Sequence, residues 1–97
     1  MNIPYGRHHI DKADMEAVID VLQRGMLTQG PLVPKFEVEC ANFVGARHAV
    51  AVSNATSGLH LACLALDVGP GSVVWTSAIT FVASANCAIY CGAEIDF

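Results

Sequence analysis

The sequence predicts an α/β fold in which short parallel strands alternate with helices. In the first half, apolar residues recur three and four positions apart, which is typical of amphipathic helices. In the second half, short apolar runs alternate with further helical segments, an order that implies parallel strands joined by right-handed crossovers. Of the 97 residues, 54% are hydrophobic and only 14% are charged. We therefore expect a truncated piece of a larger α/β core, because so few charges would poorly cover a complete domain.

Two helices are predicted before the first strand. Asp11 is a typical N-cap, and the first helix should end at Gly25. Its apolar stripe consists of Met15, Val18, Ile19 and Leu22. Residues 26–33 are predicted to form a loop. Pro34 fits the first turn of a second helix, which Gly45 should end.

Strands and helices alternate in the rest of the chain. The predicted order is a strand at 49–52, a helix from about 56 to 66, a strand at 73–75, a helix from about 81 to 90 and the start of a third strand at 93–97. Small apolar residues favour burial of the first strand. Gly69-Pro70-Gly71 breaks the chain between the first of these helices and the second strand.

The polar turn between the first strand and its helix is the main candidate binding site. Residues 53–57 place hydroxyl groups and unpaired backbone N–H groups at a helix start, where the helix dipole favours a phosphate. The loop at 76–80 should open on the same sheet edge, with Phe81 at its end. This pattern suits a cofactor with a phosphate and a flat ring. The alternative is an ordinary N-cap with a core aromatic residue.

Charge and composition exclude other classes of ligand. The net charge is −4 and the basic residues are scattered, which argues against nucleic acid. We expect no membrane partner and a cytoplasmic location, because the N-terminus has no apolar signal region and no apolar run is long enough to span a bilayer. Cys87 and Cys91 could share a helix face as metal ligands, but small buried thiols in a reducing compartment are the favoured interpretation. We expect no metal.

Several segments taken in order resemble the N-terminal quarter of the DegT/DnrJ/EryC1/StrS sugar aminotransferases. These are pyridoxal-phosphate (PLP) enzymes with the aspartate aminotransferase fold, fold type I. The segments are Ile3-Pro4-Tyr5-Gly6-Arg7, Leu27-Thr28-Gln29-Gly30-Pro31, Val33-Pro34-Lys35-Phe36-Glu37, the turn at 53–59, Gly69-Pro70-Gly71, Thr80-Phe81-Val82-Ala83 and Ala85-Asn86. The stretches 74–76, 81–87 and 90–92 are most similar to the branch that aminates a UDP-4-keto-6-deoxy-N-acetylhexosamine on the pseudaminic acid route.

The resemblance implies a fold and a division of the chain. Residues 1–48 would form an N-terminal helical arm with a substrate-contacting loop. Residues 49–97 would form the incomplete start of the PLP-binding large domain, in the order β-α-β-α-β, with a mostly parallel sheet and covering helices. Relatives are dimers, so the resemblance also implies a homodimer for the whole protein.

The same resemblance assigns roles to individual residues. Ala55, Thr56 and Ser57 match the turn that binds the cofactor phosphate, and Phe81 matches the aromatic residue that stacks on the pyridine ring. The residues implied to line the sugar-nucleotide pocket are Tyr5, Gly25, Met26, Leu27 and Thr28. Ser77 departs from the pattern, since many relatives carry proline at or next to this position.

We predict that this chain does not contain the residues that perform the chemistry in this family. Transamination from L-glutamate to C4 of a UDP-sugar needs a lysine that holds the cofactor and a carboxylate at its pyridine nitrogen. Lys12 and Lys35 do not lie in the family's serine-rich lysine loop, and Asp96 does not match the family's aspartate. We therefore assign no catalytic residue and expect the chain alone to be inactive.

Two alternatives stay open at this point. The chain could be a non-catalytic α/β fragment with an anion-binding turn. It could also belong to a PLP-dependent sugar dehydratase of the same family, in which a histidine replaces the catalytic lysine. A dinucleotide-binding unit is excluded, because no Gly-x-Gly-x-x-Gly turn follows the first strand.

Overall fold

The computed structural model describes residues 3, 4 and 6–97. These residues form four helices and two strands: α1 (Lys12–Arg24), α2 (Leu32–Val44), α3 (Ala55–Ala65), β1 (Val73–Trp75), α4 (Ala83–Tyr90) and β2 (Glu94–Asp96). The chain divides into two compact units, Met1–Ala51 and Val52–Phe97. The sequence placed its boundary between residues 48 and 49, and the assignment of the two parts to an arm and a cofactor domain stays a prediction.

Both predicted N-terminal helices are present. The Asp11 carboxylate accepts hydrogen bonds from the backbone N–H groups of Ala13, at 2.8 Å, and Asp14, at 3.1 Å. The Asp14 carboxylate accepts in return from the Asp11 N–H at 3.0 Å, which completes a capping box. In α2, Pro34 lies in the first turn, where its missing N–H costs nothing, and Gly45 is the C-cap.

The predicted strand at 49–52 is not formed, so the predicted order β-α-β-α-β is wrong at its first member. A strand exists only where a neighbouring strand pairs with its backbone, and no described residue does so here. The Ala51 N–H instead donates to the Glu37 carboxylate of α2 at 2.8 Å.

The second unit contains the parallel sheet that the sequence predicted. Val73, Val74 and Trp75 of β1 pair in parallel with Glu94, Ile95 and Asp96 of β2, respectively. Helix α4 connects the two strands and packs on both of them, and α3 packs on α4. The observed order in this unit is therefore α-β-α-β.

Small residues form the buried core of the second unit. The buried residues are Ala83, Ala85, Cys87 and Ala88 on α4 and Ala93 before β2. These short side chains let α4 approach the sheet closely. Among the described residues, no helix is both long and apolar enough to cross a membrane.

Candidate phosphate-binding site

Helix α3 begins one residue earlier than predicted, because Asn54 is its N-cap. Asn54 has an extended backbone, and its side-chain oxygen accepts a hydrogen bond from the Ser57 N–H at 2.9 Å. The Gly58 N–H donates to the Asn54 carbonyl at 3.2 Å. Within the described part of the chain, the N–H groups of Ala55 and Thr56 have no hydrogen-bond partner, so both remain available to an anion.

Hydroxyl groups surround this helix start. The Ser53 and Ser57 hydroxyl oxygens lie 3.4 Å apart, and the Asn54 side-chain amide donates to the Ser53 hydroxyl at 3.2 Å. Thr56 and Ser57 are half-buried, whereas Ala55 is exposed. The turn therefore offers uncharged hydrogen-bond donors at a helix start whose residues are partly buried.

This donor set fits a phosphate group. The first turn of α3 has no acidic residue to repel a dianion. Two free N–H groups, neighbouring hydroxyls and the positive end of an 11-residue helix all favour negative charge. The residues that the sequence assigned to the phosphate, Ala55, Thr56 and Ser57, are thus brought together in one turn.

Phe81 lies before α4 and in the same unit as this turn. Phe81 is 73% exposed, so its ring is accessible to a flat ligand. The ring borders a cavity of about 260 Å³, whose lining residues are Ser77, Ala78, Thr80, Phe81, Val82, Ala85 and Phe97. No residue of the turn at 55–57 lines this cavity, so the structure does not merge the two predicted cofactor contacts into one pocket.

Four of the five predicted sugar-pocket residues, Gly25, Met26, Leu27 and Thr28, lie in the other unit, in the loop after α1. Gly25 and Met26 border a cavity of about 210 Å³, whereas Leu27 and Thr28 do not line it. A side chain at Gly25 would place its Cβ 2.6 Å from the Val21 carbonyl oxygen, and one at Gly30 would meet the Met26 carbonyl at the same distance. Both glycines are therefore required by close backbone approach. Tyr5 lies outside the described residues.

Sequence reasoning missed Asn54 as the residue that organises the phosphate turn. Asparagine is a preferred N-cap, and the N–H it satisfies lies three residues later. That signal was present in the sequence, but threonine and serine two and three positions later offered competing helix starts. Because Asn54 occupies the Ser57 N–H, it decides which backbone donors remain free.

The two lysines lie in the first unit and are solvated. Lys12 faces Glu16 at 3.4 Å and Lys35 faces Glu39 at 3.7 Å, each one helical turn away on an exposed surface. Neither side chain is desolvated, which is the usual means of activating an amine as a nucleophile.

Comparison with known proteins identifies the family of this chain. Residues 8–97 match the DegT/DnrJ/EryC1/StrS aminotransferase family. The spore coat polysaccharide biosynthesis protein SpsC of Bacillus subtilis is 46% identical over 94% of the chain and 23% of its own length. The UDP-4-amino-4-deoxy-L-arabinose–oxoglutarate aminotransferase of Shewanella sediminis is 41% identical over 95% of the chain and 24% of its length. The chain belongs to the DegT/DnrJ/EryC1/StrS aminotransferase family.

A third relative and two solved structures extend this similarity. The UDP-4-amino-4,6-dideoxy-N-acetyl-beta-L-altrosamine transaminase of Campylobacter jejuni is 38% identical over 98% of the chain and 25% of its length. Spr1654 of Streptococcus pneumoniae in its PLP-form superposes with a TM-score of 0.88 at 31% identity, over 99% of this chain and 24% of that one. The aminotransferase of Psychrobacter cryohalolentis gives a TM-score of 0.84 at 29% identity, over 95% of this chain and 24% of that one.

These similarities confirm the predicted fold and cofactor class. The chain has the fold of the N-terminal part of PLP-dependent sugar aminotransferases, and Spr1654 also exists in a PMP-form. PLP is the cofactor of the family. The chain spans about a quarter of the length of the curated relatives it matches.

Proposed function

We propose that this chain forms the N-terminal quarter of a PLP-dependent sugar aminotransferase and holds the cofactor phosphate there. The observation that carries the proposal is the pair of free N–H groups at Ala55 and Thr56, at the start of α3. The hydroxyls of Thr56 and Ser57 would supply further donors. We call the protein that carries this chain at the length of its relatives the complete aminotransferase.

Each residue of the site has a distinct task in this proposal. PLP, when bound, withdraws electrons from the carbon that carries the amino group, which allows that group to leave a donor and join a keto sugar. The turn at 55–57 anchors the phosphate and thereby fixes the ring's position. Phe81 stacks on the ring and holds its orientation. None of these residues moves a proton, so the catalytic lysine must come from another part of the complete aminotransferase.

We further propose a 4-keto UDP-sugar as the amino acceptor and L-glutamate as the donor. The names of the Shewanella and Campylobacter relatives describe 4-amino UDP-sugars, which supports this substrate class. Within it, a UDP-4-keto-6-deoxy-N-acetylhexosamine of the pseudaminic acid route is our specific proposal. Tyr5 and the loop residues Gly25, Met26, Leu27 and Thr28 would contact the sugar nucleotide. A cytoplasmic homodimer is the proposed working form, and the 97-residue chain alone is proposed to be inactive.

An added negative charge at the phosphate turn tests the proposal. Asn54→Asp keeps a good N-cap for α3 but places a carboxylate beside the proposed phosphate. We expect the PLP affinity of the complete aminotransferase to fall roughly tenfold. Repulsion between the new carboxylate and a neighbouring phosphate dianion costs about 1–2 kcal/mol in a well-solvated site. Affinity for pyridoxal, which lacks the phosphate, should not change. Both affinities are measured by cofactor fluorescence.

The matched control is Asn42→Asp, which makes the same charge change on the exposed surface of α2. Its affinities for PLP and pyridoxal should equal those of the unmodified protein. Equal loss of both ligands in Asn54→Asp, or no loss of either, would contradict a phosphate at this turn.

A further inference from the structure

Three of the four cysteines lie on α3 and α4, the two helices that pack together in the second unit. Cys63 lies on α3, Cys87 on α4 and Cys91 at the C-cap of α4. All three are free thiols in the second unit, whereas Cys40 lies on α2 in the first. The candidate is therefore a cluster of three thiols on two neighbouring helices.

The contact between the two helices is defined independently of the thiols. The rings of His60 and Tyr90 meet edge to face, with centroids 5.4 Å apart and an interplanar angle of 63°. His60 lies one turn before Cys63 on α3, and Tyr90 and Cys91 lie three and four residues after Cys87 on α4, so the helix faces that carry the ring contact also carry the thiols. A Cβ at Gly69, just beyond α3, would lie only 3.7 Å from the Cys91 carbonyl oxygen. The end of α3 thus lies against the end of α4.

The three thiols differ in burial and in their partners. Cys87 is buried at 4% exposure and donates a hydrogen bond from its thiol to the Ser84 carbonyl at 3.4 Å. Cys63 and Cys91 are half-buried. Partial burial raises the pKa of the Cys63 thiol, and hydrogen bonding and charge at the neighbouring Cys87 and Cys91 thiols raise it further. At neutral pH Cys63 therefore keeps its proton.

We propose that Cys63 and Cys91 form a reversible disulfide that links α3 to α4 when a peroxide reaches the cluster. The pair spans the two helices, and both residues are only half-buried. Cys87 is excluded as the partner because it is buried and its proton is already shared with Ser84. This inference does not depend on the proposed aminotransferase function.

The chemistry proceeds in two displacements. The Cys91 thiolate attacks one oxygen of hydrogen peroxide, the O–O bond breaks, and the departing hydroxide takes up a proton to become water. Cys91 is then a sulfenic acid. The Cys63 sulfur attacks the Cys91 sulfur and releases its proton, and the departing hydroxide forms a second water. Two thiols are oxidised by two electrons, and one peroxide is reduced to two waters.

The disulfide would join α3 and α4, and each of these helices begins at or just after a candidate cofactor contact. Helix α3 begins at the phosphate turn and α4 begins just after Phe81. A covalent link at their far ends would fix the spacing of the helices. The thiol cluster is thus a modification site outside the cofactor contacts.

Peptide mapping of the complete aminotransferase tests the assignment, because the 97-residue chain is expected to self-associate and could then form links between chains. The reduced, folded protein is treated with hydrogen peroxide, its remaining thiols are alkylated, and it is cut with trypsin and an Asp-specific protease. These cuts place Cys40 in residues 36–47, Cys63 in residues 48–66, and Cys87 and Cys91 in residues 67–95. We expect residues 48–66 linked to residues 67–95, with the link at Cys91 in fragment spectra and released by dithiothreitol.

Matched variants and an unfolded control complete the experiment. Cys40→Ser should leave the yield of linked peptide unchanged, and Cys91→Ser should abolish it. Oxidation in concentrated urea should give mixed pairs that include Cys40. The proposal is overturned if the folded protein yields no linked peptide, if the link maps to Cys87, or if Cys40 pairs as often as Cys91. Because the mapping uses the unmodified protein, it holds even if a variant fails to fold.

Discussion

At the scale of single residues, one side chain determines what the phosphate turn can bind. Asn54 accepts from the Ser57 N–H, which leaves the two preceding N–H groups free. Without this side-chain cap, the Ser57 N–H would be a third unpaired backbone donor beside those of Ala55 and Thr56. The cap therefore leaves the turn with two unpaired backbone donors, the N–H groups of Ala55 and Thr56, and with hydroxyl groups beside them.

Removal of the Phe81 ring should weaken PLP binding by the complete aminotransferase. Stacking of aromatic rings contributes about 0.5–1.5 kcal/mol, so we expect Phe81→Ala to raise the Kd for PLP roughly threefold to tenfold. Phe81→Tyr keeps the ring and should bind as before. The control is Ile79→Ala in the same loop, whose side chain is 95% exposed and does not line the cavity. Unchanged PLP affinity in Phe81→Ala would rule out stacking of Phe81 on the cofactor ring.

A side chain at Gly25 should disturb the end of α1. In Gly25→Ala, the new Cβ would meet the Val21 carbonyl oxygen at 2.6 Å, and this carbonyl accepts the Gly25 N–H at 2.8 Å. We expect faster hydrogen exchange at the last turn of α1, by roughly fivefold for a loss of about 1 kcal/mol. Gly6→Ala is the control, because nothing lies within 4 Å of its Cβ. Equal hydrogen-exchange rates in both variants would show that the backbone accommodates the new Cβ with no loss of stability at the end of α1.

At the scale of elements, α4 is the centre of the second unit. It contacts α3, β1 and β2, and it carries four of the buried residues. The side chains it buries are alanines and one cysteine, so its packing depends on close approach and tolerates little added volume.

Added volume at Ala88 should destabilise the second unit. Ala88 has no exposed surface, so Ala88→Leu must push α4 away from its neighbours. We expect the free energy of unfolding of the complete aminotransferase to fall by about 1–3 kcal/mol, measured by urea denaturation. Ala65→Leu makes the same change at an exposed position at the end of α3. A similar loss in both variants would mean that burial at Ala88 is not the cause.

At the scale of the whole molecule, the described residues bury almost no large side chain. Ala41 is the only described residue buried in the first unit. Leu, Ile, Val and Phe side chains are exposed on α1, on α2 and on the outer surface of α3. Exposed apolar area of this extent is typical of surfaces that pack against other protein.

We expect the 97-residue chain to self-associate in solution. Association would bury the exposed apolar side chains, each of which stabilises by about 1.5–3 kcal/mol when fully buried. Light scattering coupled to gel filtration measures the mass as a function of concentration. A monomer that binds no hydrophobic dye would contradict this expectation.

The 97-residue chain should also fail to attach PLP covalently. Lys12 and Lys35 are solvated and paired with Glu16 and Glu39, so neither amine is activated. After incubation with equimolar PLP and borohydride reduction, mass spectrometry should find no stoichiometric pyridoxyl group on either lysine. One adduct per chain at Lys12 or Lys35 would refute the assignment of no catalytic residue. An unstructured peptide carrying a single lysine provides the background level.

Local signals were sufficient to predict most elements. Asp11, Pro34 and Gly45 marked helix ends through capping geometry, which depends on a few neighbouring residues. The strand at 49–52 failed for a different reason. Its apolar residues satisfied the pattern of a buried strand, but a strand depends on a partner that lies elsewhere in the chain.

The candidate site shows the same division. Sequence alone determined the fold class and the family resemblance, and it predicted the candidate phosphate turn at 55–57, because these depend on short runs of residues and local hydrogen bonds. Tertiary structure decided which strands pair, that Phe81 borders a cavity separate from this turn, and that the helices carrying Cys63 and Cys91 pack together. Those contacts join residues far apart in sequence, and their positions follow from how α4 packs against its neighbours.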